Sequence, residues 1–311
     1  MTAYILRINL PYQGGNDAFA TKSLIDMPEL PEVEITARRL GRVLEGAGVE
    51  SALSPGMVAL KTIDPPLRAL EGMRVAGTGR VGKMPIVRFE GGDEPLELLV
   101  HLMSAGRLQV FAKRASLRDR ASRVLIRLAD GRELRLREFG TKQRAWAKLY
   151  REGGVADDEM VSTLGPEAWP SPPLEAFVEG VRQPRHLHPL LRDQRAVAGI
   201  GRQWVDEILW EARLSPFKKG SDLSDEEAER LHAALHVLGD AIDHYEEAVG
   251  DDVPNKLPMP LQVHKREGEP CPRCGTTIEA IFYSDHQTNY CPTEQTDGKV
   301  MADRRLSKLL K

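Results

Sequence analysis

The chain has 311 residues, enough for roughly two domains at about 150 residues each, and its 41% hydrophobic and 29% charged content is ordinary for a globular protein rather than a disordered one. No run approaches the ~18 consecutive apolar residues of a membrane span, and the opening MTAYILRINLPYQGG has neither the basic start nor the apolar stretch of a secretory signal. Three cysteines, all within the last forty-one residues, are too few for a disulfide scaffold and point to a reduced, cytoplasmic setting, while the net charge of −3 gives no hint of nucleic acid.

Residues 1–26, ahead of the first motif, show no clear periodicity and form a leader. A helix is predicted from the Pro-Glu-Leu-Pro-Glu-Val-Glu run at 28–34. Pro31 suits a first turn, acids crowd the N-terminal end, and Val33, Ala37, Leu40 and Leu44 share a face that Gly46 and Gly48 terminate. Strand-like runs follow at 86–89, 96–102, 107–111, 124–128 and 134–136. Asp130-Gly131 between the last two is a hairpin signal. The stretch 27–150 therefore reads as a helix on an antiparallel β-sandwich. Its second half is strongly basic: residues 101–150 carry thirteen Lys/Arg against four acids, and the tail from Thr296 is basic as well. Such local charge attracts a phosphate backbone, although a solvated arginine-rich face reads the same way.

The Gly/Pro-rich connector (Gly153, Gly154, Gly165-Pro166 and Pro170-Ser171-Pro172-Pro173) opens a helical region, 151–260. Gly199-Ile200-Gly201 predicts a tight turn before a helix carrying Trp204, Ile208 and Leu209. Ser224 and Glu227 predict a capping box for a helix carrying Ala228, Leu231, Leu235, Leu238 and Ile242. The remainder, 261–311, holds a small cysteine-bearing hairpin and the basic tail. The fold class is α+β multidomain: sandwich, helical domain, hairpin.

Cys271-Pro272-Arg273-Cys274-Gly275 places two thiols three positions apart, and Cys291 follows after sixteen residues. A fourth cysteine three positions further on would complete a structural zinc pattern. Glu294 stands there instead. Carboxylate oxygen ligates zinc, so Cys271, Cys274, Cys291 and Glu294 form the candidate Zn2+ site, with His286 and His264 as other fourth ligands. A hairpin that has lost its metal is the alternative.

Taken together, the 28–34 run, Gly82-Lys83, HLMSAGRL at 101–108, DQRAVAGIG at 193–201 and Cys-x2-Cys…Cys with Asp303-Arg304-Arg305 resemble the formamidopyrimidine-DNA glycosylase/endonuclease VIII family. The likeness runs from Met27 to Lys311. It implies a β-sandwich, a helix–two-turn–helix domain and a zinc-finger hairpin. Damaged double-stranded DNA would lie between them with one base flipped out, bound by a monomer. It also implies a nucleophilic N-terminal proline, here Pro28, that attacks the deoxyribose and leaves a Schiff base. Glu29 would be the general acid/base, Glu32 a supporting carboxylate and Lys83 a contact on the lesion side. The void-filling side chains would be Arg137, Phe139 and Met103, the last displaced by one position.

Three features depart from the family pattern. Arg202 stands where the family has a phosphate-binding asparagine, His286 where it has an arginine, and Glu294 where it has a cysteine. A fourth matter is the leader: translated from Met1, the nitrogen of Pro28 is a tertiary amide and forms no iminium. Either Met27 is the start and is removed, or the chain is not a proline-nucleophile enzyme. The sequence thus predicts a glycosylase with abasic-site lyase activity. A catalytically impaired binder of damaged DNA is the runner-up, and a zinc-ribbon interaction module a third reading. The lesion-reading loop is expected within 201–225 or nearby, where no code is legible.

Overall fold

Helix α1 (Leu30–Leu44) begins where Pro31 needs no hydrogen-bond partner for its nitrogen, and the Glu32 carboxylate accepts from the Glu29 N–H at 3.1 Å. In the computed structural model, which describes residues 28–56, 58–139, 143–248, 250, 260–283 and 287–301, this helix serves two cores. Val33, Leu40 and Leu44 pack into the sandwich, whereas Leu30 and Ile35 pack into the helical domain. Gly46, with φ of 78°, ends it in the left-handed conformation that suits glycine.

The sandwich consists of two four-stranded antiparallel sheets. One has the order β1 (Val49–Leu53), β6 (Ser122–Leu128), β7 (Glu133–Glu138), β5 (Gly106–Phe111); the other has β2 (Arg74–Val81), β3 (Met84–Glu90), β4 (Leu96–His101), β8 (Trp146–Arg151). Val75, Val87, Phe89, Leu98 and Val100 of the second meet Val124, Ile126, Leu134 and Leu136 of the first. Burying each such side chain stabilises the fold by about 1.5–3 kcal/mol. The predicted Asp130-Gly131 hairpin forms, with Gly131 at φ 91° and Ile126 opposite Leu134. Strands β1, β2 and β8 were not evident from pattern. In β2, Gly77 and Gly79 interrupt the alternation, and the strand is fixed instead by α1 through a 2.6 Å hydrogen bond from the Thr78 hydroxyl to the Ala37 carbonyl. Much of the basic charge of 101–150 is paired internally: Arg127 and Arg135 on the fully buried Glu133, Arg132 on Asp130, Lys148 on Asp158.

Helices α2 (Leu174–Val181), α3 (Leu187–Leu191), α4 (Arg202–Glu211), α5 (Asp225–Ala233) and α6 (His236–Ala248) surround Phe177, Trp204, Ile208, Leu231 and Tyr245. Ser224 and Glu227 form the predicted capping box, at 3.2 and 2.9 Å. The single helix expected after it is instead two, α5 and α6. No Gly or Pro marks the break at 234–235, so sequence carried no signal for it. The hairpin, β9 (Glu279–Phe282) with β10 (Gln287–Tyr290) and then α7 (Pro292–Gln295), is moored to α4 by two buried carboxylates. Glu207 accepts the amides of Gln262, Val263 and His264 at 2.8–3.0 Å. Asp206 bonds His264 Nδ1 at 2.7 Å, His188 Nε2 at 3.2 Å and the Asn289 amide at 3.1 Å. Burial opposes ionisation of Asp206, yet the two imidazoles hold its carboxyl below the usual range. Among the described residues no helix is long and apolar enough to cross a membrane.

Candidate active site

The two motifs richest in glycine and proline meet at one point. The Leu30 N–H donates to the Gly199 carbonyl at 3.1 Å, and the 199–201 turn passes so close to the start of α1 that only glycine fits. A Cβ on Gly199, whose φ is 99°, would sit 2.3 Å from Leu30, and one on Gly201 would sit 2.1–2.5 Å from the Glu29 carboxylate. Glu29 is buried at the N-terminus of α4, accepting the Gln203 and Trp204 amides at 3.0 and 3.3 Å. Exposed amide donors and the helix dipole both hold an anionic side chain at such a place. Glu32 accepts from the Glu29 N–H on one oxygen and from the Gln203 side-chain amide on the other. Burial, and then the neighbouring Glu29, push the Glu32 carboxyl up to about 8, so it keeps its proton at neutral pH.

Lys83 follows Gly82 in the β2–β3 turn. That turn is pinned by Glu167, which accepts the Gly82 amide at 2.6 Å and pairs with Arg80 at 2.5 Å. Burial lowers the Lys83 ammonium from its usual value, Glu29 acts in the opposite sense, and Arg192 adds to the lowering. Pro28, Lys83, His101, Met103, Met160 and Arg192 border one cavity of about 610 Å³. His101 is pushed down to about 4, by burial first and then by Lys83 beside it, so its ring is neutral at physiological pH. Its Nδ1 accepts the Met103 N–H at 3.1 Å, which leaves the other nitrogen as the donor, and the ring stacks on Trp146 at 5.3 Å. Behind the turn, Gln194 clamps the Gly199 amide and the Ile200 carbonyl at 3.0 and 2.9 Å.

At the end of β7 the Arg137 guanidinium lies between two rings, 5.4 Å from Phe111 and 4.7 Å from Phe139. The Phe139 N–H reaches the Ala105 carbonyl at 3.2 Å, next to the turn in which Met103 adopts φ 50°. Between Arg137 and Phe139, the buried Glu138 accepts the amides of Arg144 and Ala145 at 2.7 and 2.9 Å. In the hairpin, Cys271, Cys274 and Cys291 place their sulfurs within 4.8 Å of one another. Trp210 Nε1 donates to Cys271 at 3.4 Å, Thr276 bonds Cys274, and the Glu294 backbone bonds Cys291. Thiolates that already receive hydrogen bonds are suited to a structural zinc ion.

Three family models match the chain in order: the formamidopyrimidine-DNA glycosylase N-terminal domain over residues 27–142, its H2TH domain over 164–251, and the zinc finger found in FPG and IleRS over 268–293. The formamidopyrimidine-DNA glycosylase of Thermus thermophilus is 34% identical over 288 residues, 88% of this chain and 100% of that protein. The Roseiflexus protein of the same name is 33% identical over 283 residues, 86% of this chain and 98% of that one. The chain belongs to the formamidopyrimidine-DNA glycosylase family. A Lactococcus lactis FPG mutant in complex with Fapy-dG-containing DNA has a TM-score of 0.75 at 27% identity, covering 86% of this chain and all of that one. The L. lactis enzyme with abasic-site DNA gives 0.74 at 26%, covering 86% and 99%.

Within this glycosylase architecture the residues expected to act divide into three groups. Pro28, Glu29, Glu32 and Lys83 are brought together at the cavity and the turn behind it, and Arg202 begins α4 beside them. Arg137, Phe139 and Met103 are gathered around the 103–106 turn. Glu294 is not brought to the sulfurs: its carboxylate lies 3.2 Å from Arg213 and 3.6 Å from Arg273. His264 is likewise engaged, with Asp206, and His286 lies outside the described residues. Besides Pro28, Lys83, Met84 and 101–103, the cavity is lined by residues from 159–164 and 192–195, and none of 201–225 lines it. His101, Gln203 and Arg192 were missed. His101 opens the HLMSAGRL motif and was the one within reach of a sequence argument.

Proposed function

We propose that this chain is a bifunctional DNA glycosylase that excises oxidised bases from duplex DNA and cleaves the resulting abasic strand, acting as a monomer with Pro28 as nucleophile. The observation that carries the reading is the convergence of Pro28, Lys83 and His101 on one cavity, with Glu29 and the protonated Glu32 fastened to the 199–203 segment beside it. The complexes of the L. lactis enzyme with Fapy-dG and abasic DNA support the substrate class.

The Pro28 nitrogen donates its lone pair to the deoxyribose C1′. The glycosidic bond breaks, its electron pair leaving with the base, and the proton shed by the alkylated Pro28 nitrogen balances the one the base takes up. O4′ accepts a proton as the sugar ring opens to the iminium, and loss of a C2′ proton then expels the 3′ phosphate. Glu29 is placed to exchange protons by the α4 amides, and Glu32 holds a proton beside it. Lys83, Arg202 and the neutral His101 supply hydrogen-bond donors for flanking phosphates. Arg137, Phe139 and Met103 fill the space left by an extruded nucleotide, whose flipping costs a few kcal/mol. Zinc, held by Cys271, Cys274 and Cys291, would fix the hairpin that completes the DNA surface.

This chemistry requires a secondary amine, so the active form begins at Pro28, after initiation at Met27 and removal of that methionine. The start of the N-terminal family match at residue 27 supports this. Borohydride trapping on abasic DNA tests it. A chain beginning at Pro28 is expected to cross-link, Pro28→Gly to do so about tenfold less or worse, and a chain that keeps residues 1–27 not at all. Strand cleavage by a chain with an intact leader overturns the proposal.

A further inference from the structure

Arg80, near the end of β2, reaches three parts of the chain with one guanidinium, and its side chain is only 6% exposed. Nε pairs with Glu34 of α1 at 2.9 Å, Nη2 donates to the Trp169 carbonyl at 2.6 Å, and Nη1 pairs with Glu167 at 2.5 Å. The other oxygen of Glu167 accepts the Gly82 amide at 2.6 Å, so this one carboxylate holds the residue that precedes Lys83. Gly82 turns at φ 53°, and a Cβ there would lie 3.3 Å from Leu164 and 4.0 Å from Ala198. The turn that carries Lys83 therefore rests directly on the connector and on the residue ahead of Gly199.

The connector is itself tied to the other half of the site. Gly165 donates to the Gln194 carbonyl at 2.9 Å, Ala168 to the Ala198 carbonyl at 3.0 Å, and Ala198 to the Pro166 carbonyl at 2.9 Å. Glu167 thus sits in a short parallel pairing with Ala198, one residue before the turn that accepts the Leu30 amide and closes on Glu29. Its backbone is registered to the 199–201 turn, and its side chain to the Gly82-Lys83 turn. A shift of about 1 Å at a positioned group can cost on the order of a hundredfold, even when it originates far from the chemistry.

We infer that Glu167 is a positioning residue for Lys83, a role that rests on the phosphate contact proposed above for that lysine. It registers the Gly82-Lys83 turn to the 199–201 turn, and so sets the ammonium where the phosphate beside the lesion arrives. Arg80 is the second half of the clasp, since its guanidinium gives the Glu167 carboxylate a fixed charged partner. Removing the Glu167 side chain leaves Arg80 its Glu34 partner and the Trp169 carbonyl, so the fold survives while the turn loses its anchor.

A double-mutant cycle on the chain beginning at Pro28 tests this, with binding to duplex carrying a non-cleavable abasic analogue measured across a range of salt. Lys83→Ala is expected to weaken binding about tenfold and to reduce the salt slope by about 0.9, as for one phosphate contact. Glu167→Ala should match it within about threefold, and the double variant should bind no more weakly than Lys83→Ala alone. Glu167→Gln, which keeps an acceptor for the Gly82 amide, should recover most of the loss. Without any DNA, amide exchange across 82–84 should quicken about tenfold in Glu167→Ala and stay unchanged in β4. Losses that multiply in the double variant, or an unchanged salt slope in Glu167→Ala, overturn the inference. So does an undisturbed turn in the exchange measurement. A parent chain that fails to bind the abasic duplex would refute the proposed function instead, and amide exchange alone then decides the role of Glu167.

Discussion

Gly201→Ala isolates the contact that joins the two halves of the site. The backbone of Gly201, at φ −124° and ψ −154°, is extended and open to any residue, so the substitution introduces only a methyl group. That methyl would lie 2.1 Å from Glu29 Cδ and 2.3–2.5 Å from its oxygens, well inside contact distance. The carboxylate must leave the α4 amides, forfeiting two hydrogen bonds to a charged group at about 1.5–3 kcal/mol each, or α4 must withdraw from α1. The expected loss is about 3 kcal/mol or more, which for a chain of this size lowers the melting temperature by roughly 6–10 °C. Borohydride trapping should fall about a hundredfold, because Glu29 no longer sits where a proton is exchanged. Gly48→Ala, where a Cβ would meet only Ala129 at 3.6 Å, is the control and should do neither. Thermal denaturation and trapping of both variants measure the outcome. Native stability and full trapping in Gly201→Ala would refute the placement of Glu29 against α4.

Three further outcomes follow from the same geometry. Glu32 keeps its proton to about pH 8 in the folded chain but only to 4.5 in the reference state, so the folded form binds more protons between those values and stability falls as pH rises through them. Glu32→Gln should flatten this slope by roughly 1.4 kcal/mol per pH unit, read from urea midpoints at about pH 5.5 and 7.5; an unchanged slope would show that Glu32 is ionised when folded. Arg137→Ala removes the guanidinium held between Phe111 and Phe139, and should cut excision from duplex more than from single-stranded substrate, by about tenfold in gel-based cleavage assays. Chelating the metal should loosen the hairpin while leaving the sandwich folded. Amide exchange would then rise across 279–291 but not in β3 or β4.

What could be read from the sequence was local, or lay in motif order. The start of α1, the Asp130-Gly131 hairpin, the capping box at Ser224 and the Gly199-Ile200-Gly201 turn each rest on residues whose backbone preference is strong. Strand β2 and the α5–α6 break rest on contacts distant in sequence, and no local pattern marks them. The same division holds at the site. Pro28, Glu29, Glu32 and Lys83 stood in motifs, whereas Gln203 joins them only through its bond to Glu32 across from α4, and Arg192 only by lining the same cavity as Pro28. Within the basic stretch 101–150, two of its own four acids, Asp130 and Glu133, pair with Arg132, Arg127 and Arg135, and Asp158 from outside it takes Lys148, so the excess charge left for DNA is carried by the other basic side chains. Glu294 sits at ligand spacing, yet two arginines distant in sequence claim its carboxylate.

The most direct measurement is peptide mapping, by mass spectrometry, of the chain reduced with borohydride on abasic DNA. The deoxyribose remnant should be found on the nitrogen of Pro28 as the first residue of the cross-linked protein. A remnant on Lys83 or another lysine, or a cross-linked chain that still carries Met1, would contradict the account.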